Sequence, residues 1–251
     1  MNSPLARIAG VRRGLAHSRT SVGRYRAWWH DHNERTVGQV AERAAGGWWL
    51  ALGDSAAQGV GAPHPSQGWA GQLAAAGGAA DRLVNVSVSG AKARDLVDDQ
   101  LPRAHALIDR LGRPEAVAVH IGANDLVRPG HPLRLHRGLA AIADWLVLQQ
   151  LGPATVVGLM PTSGMGLSSA EANWRIRRTA RSVGAGVADI NRPAKGSLNS
   201  RLADDLFHPN ALGYAAWAQG FAAAMGLPLP PVPDVAPAWG PALEPVGVSP
   251  R

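Results

Sequence analysis

Four short blocks of the sequence hold polar residues whose types and order suggest chemistry. They are Gly53-Asp54-Ser55, Ser89-Gly90, Gly122-Ala123-Asn124-Asp125 and Asp205-Leu206-Phe207-His208. A serine hydroxyl is a weak nucleophile until a neighbouring base takes its proton, and histidine suits that role because its ordinary pKa is about 6.5. The blocks therefore predict a nucleophile at Ser55 and a general base at His208.

A nucleophile and base of this kind need two further parts. The imidazole must be held in one tautomer, and Asp205 lies three residues before His208, so its carboxylate can reach the ring within one tight turn. The tetrahedral intermediate of acyl transfer carries a negative oxygen that needs hydrogen-bond donors. The candidate donors are the backbone N–H groups of Ser55 and Gly90 and the side-chain amide of Asn124. Glycine at position 90 is expected to let the backbone approach that oxygen closely.

The elements that must position these blocks are short apolar strands that alternate with helices. The predicted strands are Trp48–Leu52, Leu83–Val88, Ala116–Ile121, Thr155–Leu159 and Gly186–Ile190. The predicted helices are Trp69–Ala76, Ala93–Leu111 (interrupted near Pro102), Pro132–Leu151, Ser169–Val183 and a last helix that follows Asn210 as its N-cap. Strands that are apolar on both faces and alternate with helices predict a doubly wound α/β sandwich, with chemistry at the carboxyl ends of the strands.

The four blocks, in this order, resemble the GDSL-type hydrolases, also called SGNH hydrolases. The resemblance covers about residues 48–225. It implies a three-layer α/β/α sandwich around a five-stranded, parallel, flavodoxin-like sheet. It also implies a Ser-His-Asp triad that uses no cofactor or metal and that turns over esters, thioesters or acylated sugars.

Each functional position of that family has a counterpart here. The nucleophile matches Ser55, the oxyanion donors match Gly90 and Asn124 together with the N–H of Ser55, the base matches His208, and its orienting residue matches Asp205. The sequence departs from the family after the nucleophile, where Ala56 and Ala57 stand in place of the usual Leu and Ser or Thr. The Gly-x-Ser-x-Gly pattern of the α/β-hydrolases is absent around Ser55, which argues against that other serine esterase fold.

Charge and composition divide the chain into three parts. The whole chain of 251 residues carries a net charge of +7. Most of this excess lies in residues 1–46, a basic extension with eight arginines and three acidic residues. Residues 47–227 form the hydrolase-like body, and the Pro-rich segment 228–251 is expected to be disordered. The extension has apolar residues at spacings of three and four, which predict an amphipathic helix. Such a helix could dock on the body or contact anionic lipid or another protein.

The composition of the chain also excludes several classes of function. The chain has no cysteine, which excludes thiol nucleophiles, disulfide scaffolds and cysteine-ligated metals. No apolar run reaches the roughly 18 residues of a membrane-spanning helix. Because most of the excess charge lies in the extension, nucleic acid is not the expected partner of the body. The expected partner is a small acyl ester, and the expected location is the cytoplasm because no signal peptide is recognised.

Three alternatives stay open at this point. The same residues could serve a carbohydrate O-deacetylase or an acyltransferase. The basic extension could instead carry a non-enzymatic role on anionic lipid or nucleic acid. The acyl chain, the alcohol and the oligomeric state are not predicted.

Several residues other than the predicted catalytic and oxyanion residues are assigned structural roles. His120 is expected to be a buried histidine with satisfied hydrogen bonds, and Asp54 to hydrogen-bond locally in the turn before the nucleophile. Trp69 could wall the pocket or pack in the core. The remaining tryptophans of the body are expected to pack in the core or between layers: Trp48, Trp49, Trp145, Trp174 and Trp217.

Overall fold

The protein folds around one parallel sheet with helices on both of its faces. The computed structural model describes residues 4–43, 47–126, 132–162, 166–191 and 198–231. The five strands are β1 (Trp49–Gly53), β2 (Leu83–Asn85), β3 (Ala116–His120), β4 (Thr155–Gly158) and β5 (Gly186–Ala188). Their order is β2-β1-β3-β4-β5 and every neighbouring pair is parallel. The predicted three-layer α/β/α sandwich with a flavodoxin-like sheet is confirmed.

Eight α-helices and several tight turns complete the described chain. The helices are α1 (Pro4–Glu42), α2 (Trp69–Ala76), α3 (Ala93–Asp95), α4 (Leu101–Leu111), α5 (Ala123–Leu126), α6 (Pro132–Leu148), α7 (Gly166–Ser182) and α8 (Ala211–Met225). A π-helical turn, Leu96–Gln100, joins α3 to α4, and 3-10 turns lie at Pro65–Gln67, Gly152–Ala154 and Leu198–Arg201.

Each face of the sheet buries its own apolar core. Side chains alternate along β1, so that Leu50 and Leu52 face one core while Trp49 and Ala51 face the other. The first core contains apolar residues of α3, α4, α6 and α7. The second contains apolar residues of α2 and α8. The helices therefore fix the sheet from both sides, and the loops at its carboxyl edge are left to build a site.

The predicted elements agree with this architecture and differ from it mainly at their ends. The regular strand β2 ends at Asn85, before the predicted end at Val88. The next residues stay bonded to β1, since the N–H groups of Val86 and Val88 donate to the carbonyls of Ala51 and Gly53 at 3.1 and 3.2 Å, while the N–H of Ser87 donates to the Asn85 side chain. The predicted break at Pro102 takes the form of the π-helical turn, after which Pro102 lies in the first turn of α4. Proline is tolerated there because the first turn needs no N–H partner.

Helix α1 lies along the outer edge of β2 and contributes to both cores. Val37 and Val40 belong to the core of α4 and α6, whereas Trp29 belongs to the core of α2 and α8. The side chain of Asn33 pairs with both backbone groups of Asn85 in β2, at 2.8 and 2.9 Å. An edge strand exposes unpaired backbone groups, and α1 satisfies them here.

None of the helices within the described residues is both long enough and apolar enough to cross a membrane. The Pro-rich segment from residue 232 onward lies outside the described residues, so the prediction made for it stays a prediction.

Candidate active site

The side chains of Ser55, His208 and Asp205 form a continuous hydrogen-bonded relay at the carboxyl edge of the sheet. Ser55 follows β1, and its Oγ lies 2.8 Å from Nε2 of His208, 153 residues away in sequence. The other ring nitrogen, Nδ1, lies 2.6 Å from Oδ2 of Asp205. The Asp205 side chain is 1% exposed and that of His208 is 13% exposed. The imidazole therefore reaches the surface while its carboxylate partner is buried.

The tight turn from Asp205 to His208 is held by the aspartate itself. Its Oδ1 accepts hydrogen bonds from the N–H groups of Phe207 and His208, at 3.0 and 2.9 Å, which leaves Oδ2 for the imidazole. Leu206 adopts a left-handed backbone with φ of +53°, a conformation that costs a residue with a side chain about 1–2 kcal/mol. The predicted helix cap follows, since Asn210 Oδ1 accepts the N–H of Gly213 at 3.1 Å.

Ser55 lies in a sharp turn that begins where β1 passes close to β3. A Cβ added to Gly53 would lie 2.4 Å from the carbonyl oxygen of His120, so only glycine lets the two strands approach there. Oδ1 of Asp54 accepts the N–H of Ala56 at 2.9 Å. The local role predicted for Asp54 is confirmed by this bond, which fixes the backbone on both sides of Ser55.

Asp54 is a buried carboxyl group beside the nucleophile. Its residue is 1% exposed, and burial raises the pKa of the carboxyl group to about 6, although the N–H of Ala56 and the nearby His208 act in the opposite direction. The carboxylate of Asp125 adds to the upward shift. Asp54 therefore titrates well above an ordinary aspartate.

Replacing Asp54 by asparagine should remove a pH-dependent part of the folding stability. The carboxyl group binds its proton more tightly in the folded chain than in the unfolded chain, where the pKa is 3.8. Stability is therefore lost as the pH rises from about 4 to about 6, where the folded group ionises. The wild-type free energy of unfolding should fall relative to that of Asp54→Asn over this range. Urea denaturation at several pH values measures the difference, and a difference that is constant with pH would refute the shift.

The asparagine and aspartate of the third block hold the loop that follows Gly90. Nδ2 of Asn124 donates to the carbonyl of Ala91 at 3.0 Å and to Oδ2 of Asp54 at 3.3 Å. Oδ2 of Asp125 accepts the N–H of Ala93 at 2.9 Å. Both hydrogens of the Asn124 amide thus have acceptors within the protein, and the contact with Asp54 is the longer and weaker one.

Gly90 lies in an exposed loop between β2 and α3 and is not among the residues that line the cavity beside Ser55. Its φ of +81° is left-handed, and an added Cβ would meet nothing within 4 Å. The predicted reason for this glycine, close approach of the backbone to the substrate oxygen, stays a prediction. The left-handed backbone is a second reason for glycine at this position.

A cavity of about 500 Å³ opens beside the relay, a size in the usual range for small-molecule sites. Ser55, His208 and Asn124 share its wall, and most of the other lining side chains are apolar. Those that lie outside the four blocks include Leu126, Pro161, Ile190, Asn191, Arg201, Leu202, Ala216 and Trp217. They come from segments far apart in sequence, so no local pattern marks them. Leu206 and Phe207, within the fourth block, are also exposed at the cavity.

The aromatic residues behave differently from several of the expectations. His120 is fully buried, its Nε2 lies 3.2 Å from the carbonyl of Leu159, and burial lowers its pKa to about 4. Its Nδ1 has no partner, so the expectation of a fully satisfied histidine is wrong. Trp69 is buried and stacks on Phe221, whereas Trp217 lines the cavity.

Trp174 also departs from its predicted packing role, because it is 58% exposed on α7. The helix places it beside Arg178, whose guanidinium lies 5.7 Å from the centre of its ring. The Trp174 side chain therefore lies at the surface beside a positively charged residue and does not pack in the core.

Within the part of the chain that the structure describes, no three side chains of the histidine, aspartate and glutamate type come together as a set that could hold a metal ion.

A serine, histidine and aspartate joined in this way on a parallel α/β sandwich are typical of a serine hydrolase. The chain belongs to the GDSL-like Lipase/Acylhydrolase family, whose model matches residues 51–216, and it is an ester hydrolase of that class. The family predicted from the four blocks is confirmed. Helix α1 lies outside the matched residues.

Solved structures of similar fold include several hydrolases. TesA matches with a TM-score of 0.58 and 21% identity, over 70% of this chain and 97% of its own. The esterase EstA from Pseudoalteromonas sp. matches with a TM-score of 0.54 and 20% identity, over 72% and 97%. The acetylxylan esterase Axe2 from Geobacillus stearothermophilus matches with a TM-score of 0.56 and 17% identity, over 75% and 98%. At these identities the matches establish the fold alone. No curated protein matches the sequence.

Proposed function

We propose that this protein hydrolyses carboxylic esters or thioesters through an acyl-enzyme on Ser55, with His208 as the general base and Asp205 as the residue that orients it. The observation that carries the proposal is the unbroken relay, 2.8 Å from Ser55 to His208 and 2.6 Å from His208 to Asp205. At 2.8 Å a proton can pass from the hydroxyl to the imidazole, and at 2.6 Å the carboxylate can hold the ring through a hydrogen bond.

The first half of the reaction acylates the serine. Oγ of Ser55 attacks the acyl carbon while its proton moves to Nε2 of His208, and the carbonyl oxygen becomes an oxyanion. The intermediate then collapses, the bond to the alcohol or thiol breaks, and His208 returns its proton to the leaving group. In the second half a water molecule attacks the acyl carbon while His208 takes its proton. The bond between the acyl carbon and Oγ of Ser55 then breaks, His208 returns the proton to Oγ, and the acid is released.

Asp205 supports both halves by stabilising the imidazolium. Its carboxylate is buried and already accepts two backbone N–H bonds, so its position does not depend on the substrate. With Oδ2 accepting from Nδ1–H, the lone pair of His208 is directed from Nε2 towards the serine.

The oxyanion needs donors that are in place before the reaction. The proposed donors are the N–H groups of Ser55 and Gly90 and the side-chain amide of Asn124. Because both hydrogens of that amide have acceptors, the oxyanion would replace the longer contact with Asp54, which measures 3.3 Å. The bond from Asn124 to Ala91, at 3.0 Å, would keep the amide oriented meanwhile.

Replacing Asn124 by alanine is expected to lower kcat by about 10²–10³-fold, the effect of losing one oxyanion donor. Steady-state kinetics on a short p-nitrophenyl ester measure it. Asn191→Ala is the matched control, since Asn191 lines the same cavity but bonds to Met160 and Thr162; its kcat should stay close to wild type. A loss confined to KM in Asn124→Ala would remove Asn124 from the oxyanion site.

The largely apolar cavity favours esters whose acyl part is uncharged. A panel of p-nitrophenyl esters graded by chain length, run beside acetylated sugars and with added alcohol or sugar acceptors, tests the proposal. Hydrolysis of the simple esters is the expected result. Exclusive release of acetate from sugars would favour the deacetylase, transfer to an acceptor would favour the acyltransferase, and no turnover of any ester would overturn the proposal.

A further inference from the structure

Helix α1 donates hydrogen bonds to the loop that carries the nucleophile, residues 54–62, here called the nucleophile loop. The indole Nε1 of Trp29 donates to the carbonyl of Gln58 at 3.0 Å, and the hydroxyl of Tyr25 donates to the carbonyl of Ala62. Both side chains are buried, 3% and 2% exposed. Burial also raises the pKa of Tyr25 to about 12, so its hydroxyl keeps its proton at neutral pH.

A third donor reaches the same loop from α8. The hydroxyl of Tyr214 in α8 donates to the carbonyl of Val60 at 2.6 Å. The chain has only two tyrosines, and both bond to backbone carbonyls of the nucleophile loop. Hydrogen-bond donors on two different helices, α1 and α8, thus hold the nucleophile loop.

A second path runs from α1 through the edge strand. The Asn33 side chain fixes the backbone of Asn85, and Nδ2 of Asn85 donates to the carbonyl of Ala57 in the nucleophile loop at 2.8 Å. Oδ1 of Asn85 accepts from both the N–H and the hydroxyl of Ser87. Asn85 therefore ties α1, the nucleophile loop and the loop after β2 together.

The nucleophile loop also forms hydrogen bonds with the segment that leads to Gly90. The Gln58 side chain, 3% exposed, donates from Nε2 to the carbonyl of Ser87 at 2.8 Å. Its Oε1 accepts the hydroxyl of Ser89. Trp29 bonds to the backbone carbonyl of this same glutamine, so a displacement of α1 would reach both loops of the proposed oxyanion site.

We propose that α1 is a working part of the catalytic unit and that Tyr25 and Trp29 are positioning residues for Ser55, an inference that rests on the proposed function. Neither side chain is among those that line the cavity, so each acts through the backbone it holds. A nucleophile needs its geometry fixed to a fraction of an ångström, and small displacements by distant changes lower the rate strongly. Helix α1 precedes the residues that the family model matches.

The test replaces each donor by an aromatic residue without one, in the full-length protein. Tyr25→Phe and Trp29→Phe keep most of the buried ring and remove the hydrogen bond. Each is expected to lower kcat on a p-nitrophenyl ester by about threefold to tenfold, and the double variant by about tenfold to a hundredfold, with KM nearly unchanged. The shape of the pH profile should stay that of the wild type.

Trp28→Phe is the matched control. Trp28 is adjacent on α1 and half-buried, and it stacks on His32 and meets His64 edge-on, but its indole donates no bond to the nucleophile loop within the described residues. Its kcat should match the wild type. Thermal unfolding of all variants is recorded, and kinetics are measured well below the lowest Tm, so that loss of folded protein cannot mimic the effect.

Hydrogen exchange supplies an independent measurement that does not depend on catalytic activity. The amides of Gln58, Val60 and Ala62 bond within the loop and should exchange as slowly as core amides, and Trp29→Phe should speed them selectively. The inference is overturned by fast exchange in the wild type, or by Tyr25→Phe and Trp29→Phe matching Trp28→Phe in kcat. It is also overturned by losses that affect KM alone. The proposed function fails by a different outcome, namely wild-type activity that does not require Ser55.

Discussion

Ser55→Ala is expected to lower kcat for ester hydrolysis by about 10⁴–10⁶-fold, the loss seen when a triad nucleophile is removed. The substitution deletes one oxygen and leaves the bond between His208 and Asp205 in place. The remaining activity would come from the oxyanion donors and from binding alone. Steady-state kinetics on a short p-nitrophenyl ester, with enzyme in large amount for the variant, measure the ratio.

The structure offers a matched control for this substitution. Ser66 also hydrogen-bonds to a histidine, with its Oγ 2.6 Å from Nδ1 of His64. That pair is exposed and lies outside the cavity that Ser55 lines. Ser66→Ala should therefore keep full activity. Near-normal activity in Ser55→Ala would contradict the assignment of the nucleophile, whatever the control shows.

Asp205→Asn is expected to lower kcat by about 10⁴-fold although it preserves the shape of the site. The amide oxygen can still accept the N–H groups of Phe207 and His208, so the turn should survive. The amide nitrogen would then face Nδ1 as a donor and hold the imidazole with its hydrogen on Nε2. In that tautomer His208 cannot take the proton of Ser55.

Asp204→Asn serves as the control for the neighbouring aspartate. Asp204 is exposed and does not line the cavity, so its loss should leave kcat unchanged. Kinetics and Tm are measured for both variants. A loss of less than about tenfold in a folded Asp205→Asn protein would show that the carboxylate does not set the tautomer.

The strands and the position of the relay at their carboxyl ends could be predicted from local patterns, whereas the flavodoxin-like sheet was implied by the family resemblance. Each strand is apolar on both faces, and parallel strands place their carboxyl ends at one edge, so Ser55 after β1 and Asn124 after β3 had to be close. The contact between His208 and Ser55 could be anticipated for the same reason. The residue pattern did not reveal the acceptors of the Asn124 amide, because Ala91 binds it through a backbone carbonyl.

The walls of the cavity could not be predicted, because they come from residues that no local motif marks. Pro161, Ile190 and Trp217 approach the cavity from three different segments. Trp69 and Trp217 have similar apolar surroundings in sequence, yet the first is buried in the core and the second lines the cavity. Only the packing of α2 and α8 on the sheet separates them.

The contribution of α1 was hidden for a different reason. One face of the helix carries residues spaced four apart, namely Tyr25, Trp29, Asn33 and Val37. The asparagine interrupts the apolar character of this face, so the pattern alone does not indicate a buried contact. Its side chain in fact matches the backbone pair of Asn85. The net charge of this segment indicates only a basic extension, whereas its buried side chains form hydrogen bonds with the edge strand and with the nucleophile loop.

Ser55 is proposed to form a covalent bond with the acyl group during turnover, and labelling with a fluorophosphonate probe tests this most directly. The serine oxygen displaces fluoride from phosphorus, and peptide mapping by mass spectrometry locates the adduct. We expect one adduct per chain, on Ser55, whose formation abolishes ester hydrolysis in parallel and which is absent from Ser55→Ala. An adduct on another residue, or full hydrolysis by a protein that the probe never labels, would contradict it.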